Sequence, residues 1–196
     1  PEAPGIAFVA HTDHPGYEVI EQDGLKLTLK TMGGVGIAAG RAGTPILVMG
    51  RHGVRIKATV TGADAADGKF AKSREEAGWL GTDTVYAELE EETDLGELPK
   101  AVVPDLLDYE LGDDDLIRMR AADDLAGCAA ILAALESIVE TETKGSVYGL
   151  FTRAEEVGLV GARVAAEQEL LPKNTIIVSV ETSSVLPGAE IGDGVV

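Results

Sequence analysis

Four groups of acidic or histidine residues stand where apolar, strand-like runs end. They are His11 and Asp13 after "GIAFVA", Asp123 and Asp124 in "AADDLAG", Glu155 and Glu156 in "FTRAEEVGLVGAR", and Glu181 at the end of "TIIVSVE". The adjacent pair Glu155–Glu156 poses the sharpest question. Two like charges at the end of an apolar run repel each other and are costly to desolvate unless a cation joins them. Neighbours in extended chain face opposite ways, so one glutamate could bind a metal while the other acts as general base for water. A solvated pair at a helix N-terminus is the alternative.

The other three groups have the same double reading. In H-x-D, residues i and i+2 of extended chain point the same way, so Asp13 could orient a metal-binding imidazole at His11; "TDHPG" also reads as a plain surface turn. One aspartate of "AADDLAG" serves as a helix N-cap, and the second is left over for a cation. Glu181 closes a wholly apolar strand and needs a cation or a hydrogen-bond donor. His14, before Pro15, and His52 read as surface residues, and "DLLDYELGDDD" as a solvated acidic connection without the spacing of a calcium loop.

Three stretches must position these groups. Residues 5 to 20 read strand, loop, strand. From about 22 to 113, period-two runs ("LKLTLK", "PILVMG", "VRIKATVTG", "TVYAELEE") alternate with turn signals, which favours a small barrel or sandwich; "SREEAGWLGTD" has room for one short helix. After residue 114 the order becomes strand ("DLIRMRA"), helix (125 to 139, with Leu125, Cys128, Leu132, Leu135 and Val139 on one face), buried strand ("SVYGLFT"), helix (roughly 158 to 170) and buried strand ("TIIVSVE"). This is the grammar of a doubly wound α/β sheet. The expected division is therefore an α/β domain from 1–21 and 114–196, with 22–113 as an inserted β domain. In such a sheet ligands gather beyond the carboxyl ends of the strands, so the four groups could share one crevice.

Bulk properties narrow the field. The 196 residues carry 16 basic and 34 acidic side chains, a formal charge of −18, which argues against nucleic acid as a partner. No apolar run approaches the roughly 20 residues of a membrane span. The single cysteine, Cys128, precludes an internal disulfide and fits a reducing, cytoplasmic compartment; it lies on the apolar side of the expected helix and reads as packing. The apolar run within five residues of Pro1 suggests a piece of a longer polypeptide.

Taken in order, "VAHTDHPG", "AADDLAGCAAIL" and "EEVGLVGA" resemble the H-x-D, Asp-Asp and E-E-x-G-x-x-G-A motifs of the tetrahedral, glutamyl-aminopeptidase family of dinuclear metallo-aminopeptidases. The resemblance spans nearly the whole chain. It implies two divalent ions, Zn²⁺ or Co²⁺, and removal of N-terminal residues from short peptides. It implies His11 as a ligand oriented by Asp13, Asp123 as a bridge with Asp124 structural, Glu155 as general base, Glu156 as a ligand of one metal and Glu181 of the other. It further implies homo-oligomers, with a dimer through the inserted β domain.

The sequence departs from the family in three places. Leu125 follows the Asp pair where the family has a basic residue, Glu181 stands where aspartate is common, and the family's last histidine ligand has no counterpart after residue 181. A non-catalytic metal-binding or assembly module is the competing class. Co-catalytic dipeptidases and deacylases share much of the ligand set but carry their insertion later.

Overall fold

The computed structural model describes residues 4–35, 37–64, 84–113, 116–141, 145–182, 187–188 and 190. In chain order its elements are β1 (Ile6–His11), β2 (Gly16–Asp23), β3 (Lys26–Met32), β4 (Pro45–Met49), β5 (Arg55–Asp64), β6 (Thr84–Leu89) and β7 (Lys100–Pro104). There follow β8 (Glu110–Leu111), β9 (Ile117–Arg118), α1 (Ala122–Glu140), β10 (Val147–Thr152), α2 (Val160–Glu167) and β11 (Ile176–Ser179). They form two compact units, Pro1–His14 with Ala121–Val196, and Pro15–Arg120. The expected short helix over 73–83 lies outside the described residues.

The unit Pro15–Arg120 is a closed barrel in the order β2-β3-β6-β5-β4-β7. Alternate residues point inward, such as Tyr17 and Val19 on β2, Leu27 and Leu29 on β3, and Ile46 and Val48 on β4, and they form one apolar core. The Tyr17 hydroxyl donates to the Ala39 carbonyl at 2.8 Å, and burial pushes its pKa up to about 12. Register shifts at Val19/Glu21 and Val60/Gly62 bend β2 and β5, which helps a six-stranded sheet to close.

Both edges of the expected division move. Residues 16–21, assigned above to the α/β part, belong to the barrel. Tyr17 and Val19 are barrel core, β2 pairs with β3 and β7, and a Cβ at Gly16 would stand 2.6 Å from the Val102 carbonyl oxygen. At the other edge, the described residues of "DLIRMRA" join no parallel sheet. Among them the strand is β9, which pairs with β8, and Gly112 N–H donates to Leu116 O at 2.9 Å. The acidic connection is tied down as well. Asp108 accepts from Arg55 at 2.7 Å and Arg120 at 3.0 Å, and the Arg55 bond, then Arg120, holds its carboxyl below the usual range.

The unit holding the four groups is α/β, built on a three-stranded parallel sheet ordered β10-β1-β11. Both pairings are parallel, and the described residues show these three strands with α1 against them. Helix α1 packs on β1 through Ala10, Cys128 and Ile131, with Phe8, Leu125 and Leu135 around them. Gly149 on β10 admits the helix: a Cβ there would meet Leu135 Cδ1 at 2.9 Å. The helix face differs from the expected one. Ile131 is buried, whereas Leu132 and Val139 are 58% and 77% exposed. "LAGCAAILAALESIV" is apolar around most of its circumference, so its periodicity admits two faces.

The strands read as buried are not buried among the described residues. In β10 Val147, Tyr148 and Leu150 are half-buried, Gly149 and Phe151 exposed and Thr152 buried, and all four residues of β11 are exposed. Each is an outer strand of the three, and α1 packs chiefly against β1. No helix of the described residues is long and apolar enough to cross a membrane.

Candidate metal centre

Parallel strands deliver their C-terminal ends to one side, and that is where the four groups meet. His11 ends β1 opposite Thr152, which ends β10, and Glu181 follows β11 by two residues. The His11 ring is buried. Its Nδ1 lies 3.0 Å from the main-chain carbonyl of Asp13, so Nδ1 carries the hydrogen and Nε2 presents its lone pair to the crevice. There it faces Asp123 Oδ1 at 3.1 Å, Glu181 Oε1 at 3.5 Å and Glu155 Oε2 at 3.7 Å.

An acceptor surrounded by acceptors is unfavourable unless a positive charge lies between them. Among the described residues no lysine or arginine pairs with Asp13, Asp123, Glu155, Glu156 or Glu181. Burial by itself would lower the His11 pKa; the Asp13 carbonyl and the charges of Glu181, Glu155 and Asp123 outweigh it and raise the value. A proton on Nε2 is one answer to this geometry and a divalent cation is the other. Imidazole nitrogen with carboxylate oxygens is the donor set of such an ion. Two groups have ligand atoms within 4.8 Å of one another: His11, Asp123 and Glu181, and His11, Glu155 and Glu156. The residues present fit a metal.

The two aspartates of "AADDLAG" meet different partners. Asp124 is fully buried, its backbone is not yet helical (φ −123°, ψ 36°), and its carboxylate accepts from the Gly127 N–H at 3.1 Å, as an N-cap side chain does, and from the His11 N–H at 3.3 Å, which ties the helix start to β1. Gly127 is required for this packing, since a Cβ would stand 2.3 Å from Asp124 Oδ1. Asp123 is left half-exposed and turned to His11. Cys128, read as packing alone, also aims its Sγ at the His11 carbonyl at 3.2 Å. A cysteine four residues past Asp124 is the sequence signal for that contact.

Glu155 and Glu156 are not in extended chain, so they do not face opposite ways. They open a turn in which Gly158 N–H and Leu159 N–H both donate to Glu155 O at 2.9 Å, and both carboxylates come within reach of His11. The glycines of "EEVGLVGA" now have physical reasons. Gly158 takes φ +112°, a region side chains avoid, and a Cβ at Gly161 would lie 2.3 Å from Arg153 O and 2.7 Å from Arg153 N. Both atoms are backbone, so the turn itself would have to move. Gly161→Ala is expected to destabilise the chain by about 1–3 kcal/mol, read as a lowered melting midpoint; an unchanged midpoint would count against this close approach.

Asp13 departs from its expected part. Its carboxylate Oδ1 is 3.7 Å from His11 Nδ1, beyond hydrogen-bond range, and the ring is met by the Asp13 carbonyl instead. His11, Asp123 and Glu181 come together as one group. Glu156 groups with His11 and Glu155, and Asp123 is near enough to raise its pKa.

The acids resist ionising together. Burial first, then the charges of Asp123, Glu155 and Asp13, push Glu156 up to about 7, against an opposing pull from His11. Burial raises Asp124 and Glu181 as well. A carboxyl whose pKa is raised by folding holds its proton longer in the folded state, so stability falls as pH climbs from the unfolded value, 4.5, to about 7. His11, also raised, acts in the same direction, because its favoured charged form is lost on the alkaline side. Chelator-stripped chain is expected to melt lower at about pH 8 than at about pH 5, and added Zn²⁺ to raise the midpoint more at the higher pH. A metal-free midpoint that rises across this interval would contradict the crowding.

The match to the M42 glutamyl aminopeptidase family model covers residues 1–195. Among solved structures the chain is similar to a TET aminopeptidase from a marine-sediment archaeon of the Thaumarchaeota, with a TM-score of 0.69 and 19% identity over 96% of this chain and 54% of that one. It is similar to an aminopeptidase from the archaeon Desulfurococcus kamchatkensis, with a TM-score of 0.67 and 20% identity over 97% and 51%. It is also similar to the TET1 peptidase of Pyrococcus horikoshii, which can assemble into a tetrahedron or a large octahedral shell, with a TM-score of 0.67 and 22% identity over 92% and 53%. The chain thus spans about half the length of these structures, and at such identities the likeness speaks for the fold. The family match runs over nearly every residue and takes in all four groups: the chain belongs to the M42 glutamyl aminopeptidase family.

Proposed function

We propose that this chain is the metal-binding part of an aminopeptidase that hydrolyses N-terminal residues from short peptides with two divalent ions, Zn²⁺ or Co²⁺. One observation carries the reading: His11 Nε2 faces three carboxylates, and among the described residues no lysine or arginine pairs with them. His11, Asp123 and Glu181 would hold one ion, and Glu156 with a bridging Asp123 the other. Ions held there supply Lewis acidity toward the scissile carbonyl and the attacking water.

The chain's own groups do the rest. Glu155 takes the proton from water and returns it to the leaving amine. Asp124 keeps β1 and the start of α1 in register, so that His11 and Asp123 converge. The crowding of Asp123, Glu155 and Glu181 gives the site a negative field that favours a substrate's free ammonium group. In the same reading the parallel sheet is the middle of a doubly wound catalytic domain, the barrel is the dimerisation domain of a homo-oligomer, and the protein works in the cytoplasm.

The test is metal stoichiometry on chelator-stripped chain by calorimetry, beside Glu156→Ala, followed by aminoacyl anilide hydrolysis. Two equivalents of Zn²⁺ or Co²⁺, fewer in the variant, with hydrolysis above the metal-free blank, support the proposal. Uptake without hydrolysis favours the non-catalytic binding module. No uptake above background removes both.

A further inference from the structure

We infer that the Asp13 carboxylate positions the Glu155–Glu156 turn, while the His11 ring is met by the Asp13 main-chain carbonyl. The inference rests on the metal-site reading above and deepens it. Asp13 uses its two polar ends on different partners. The main-chain carbonyl meets His11 Nδ1 at 3.0 Å. The carboxylate accepts two consecutive N–H groups from the far side of the sequence, Glu155 N–H on Oδ1 at 3.1 Å and Glu156 N–H on Oδ2 at 3.3 Å.

This turn needs holding. Ala154, immediately before Glu155, takes φ +58° and Leu159, after it, φ +56°, both left-handed values that non-glycine residues avoid. Such backbone persists only where the surroundings over-determine it. The carbonyl of Glu155 is occupied on one side of the turn by the Gly158 and Leu159 N–H groups. On the other side the two leading N–H groups have the Asp13 carboxylate. Two adjacent donors call for two acceptor oxygens a fixed distance apart, and a carboxylate is the side chain that offers them. Holding both amides turns both glutamate side chains toward His11, so the proposed base and the proposed ligand are set by one residue.

The two roles separate in Asp13→Asn and Asp13→Ala, because the main-chain carbonyl survives in both. The asparagine keeps one acceptor oxygen and puts an NH₂ against the other amide; the alanine keeps neither. The chain has three histidines, so ring ¹⁵N signals can be assigned with His14→Gln and His52→Gln on the full, metal-free chain.

The expected result has three parts. The His11 ring keeps its Nδ1–H form in both variants. Amide exchange at Glu155 and Glu156 accelerates about 10-fold or more in Asp13→Ala and at one of the two positions in Asp13→Asn. Zn²⁺ affinity falls about 10- to 100-fold, the usual loss when an outer partner of a metal site is removed. A changed His11 tautomer with parental exchange at both amides overturns the inference, as does parental exchange in Asp13→Asn with the ring unchanged. If Asp13→Ala unfolds by circular dichroism, the isosteric asparagine variant decides. Exchange is read without metal, so a parent chain that takes up no Zn²⁺ overturns the metal reading alone.

Discussion

His11→Ala is expected to weaken Zn²⁺ or Co²⁺ binding by more than about 100-fold, because loss of even an outer partner costs about 10- to 100-fold. His11 is common to both groups of potential ligands and is the one nitrogen donor in either. Its removal leaves oxygen donors alone, a set that suits Mg²⁺ or Ca²⁺ better than Zn²⁺. The variant should therefore change preference as well as affinity. Calorimetric titration with Zn²⁺ and with Mg²⁺ reads both effects. A Zn²⁺ affinity within threefold of the parent would mean that the imidazole is a buried partner of acids and no ligand. The metal-free variant should also be less stable than the parent at neutral pH, because Asp123, Glu155 and Glu181 lose the one group that, among the described residues, pairs with them and can carry positive charge.

Glu155→Gln should show the opposite pattern, with metal affinity held within about tenfold while hydrolysis of an aminoacyl anilide drops by about 10²–10⁴, the range of a general base. Glutamine keeps the volume of the side chain and an oxygen facing His11, so the turn and its glycines need not move. What it cannot do is take a proton from water. Glu156→Ala is the contrasting variant, since its expected defect is in metal uptake. Measuring kcat at saturating Zn²⁺ for all three chains separates the roles. If Glu155→Gln turns over within threefold of the parent, the proton goes elsewhere, and Glu156 is the next residue to try.

Much of this could be read without coordinates because strand ends announce themselves. "GIAFVA" before His11, "SVYGLFT" before Glu155 and "TIIVSVE" before Glu181 mark three strands of one parallel sheet, and topology alone then brings their ends together. The barrel's alternation was equally plain in "LKLTLK" and "VRIKATVTG". The errors came where one pattern fits two partners. "YEVI" alternates as well for a barrel as for the edge of an α/β sheet, and only the pairing of β2 with β3 and β7 decides. "LIR" is apolar enough for a central strand and ends in a two-residue hairpin. Helix α1 is apolar nearly all round, so Ile131 and Leu132 could not be ranked. Asp13 escaped for a different reason. Sequence spacing places a side chain near its local neighbours and says nothing of backbone amides 142 and 143 residues away.

The exposed strand β11 bears on how the chain behaves as a colloid. Ile176, Ile177 and Val178 are each more than a third exposed, and among the described residues β11 pairs on one side only, with β1. Such an edge invites another molecule to add a strand. Against it stands the charge of −18, which keeps like molecules apart. Added salt shortens the reach of that repulsion to about 10 Å at 0.1 M and leaves the apolar edge untouched. Light scattering from dilute chain should therefore grow with ionic strength, and Ile177→Lys, a charge set into the edge itself, should hold it down.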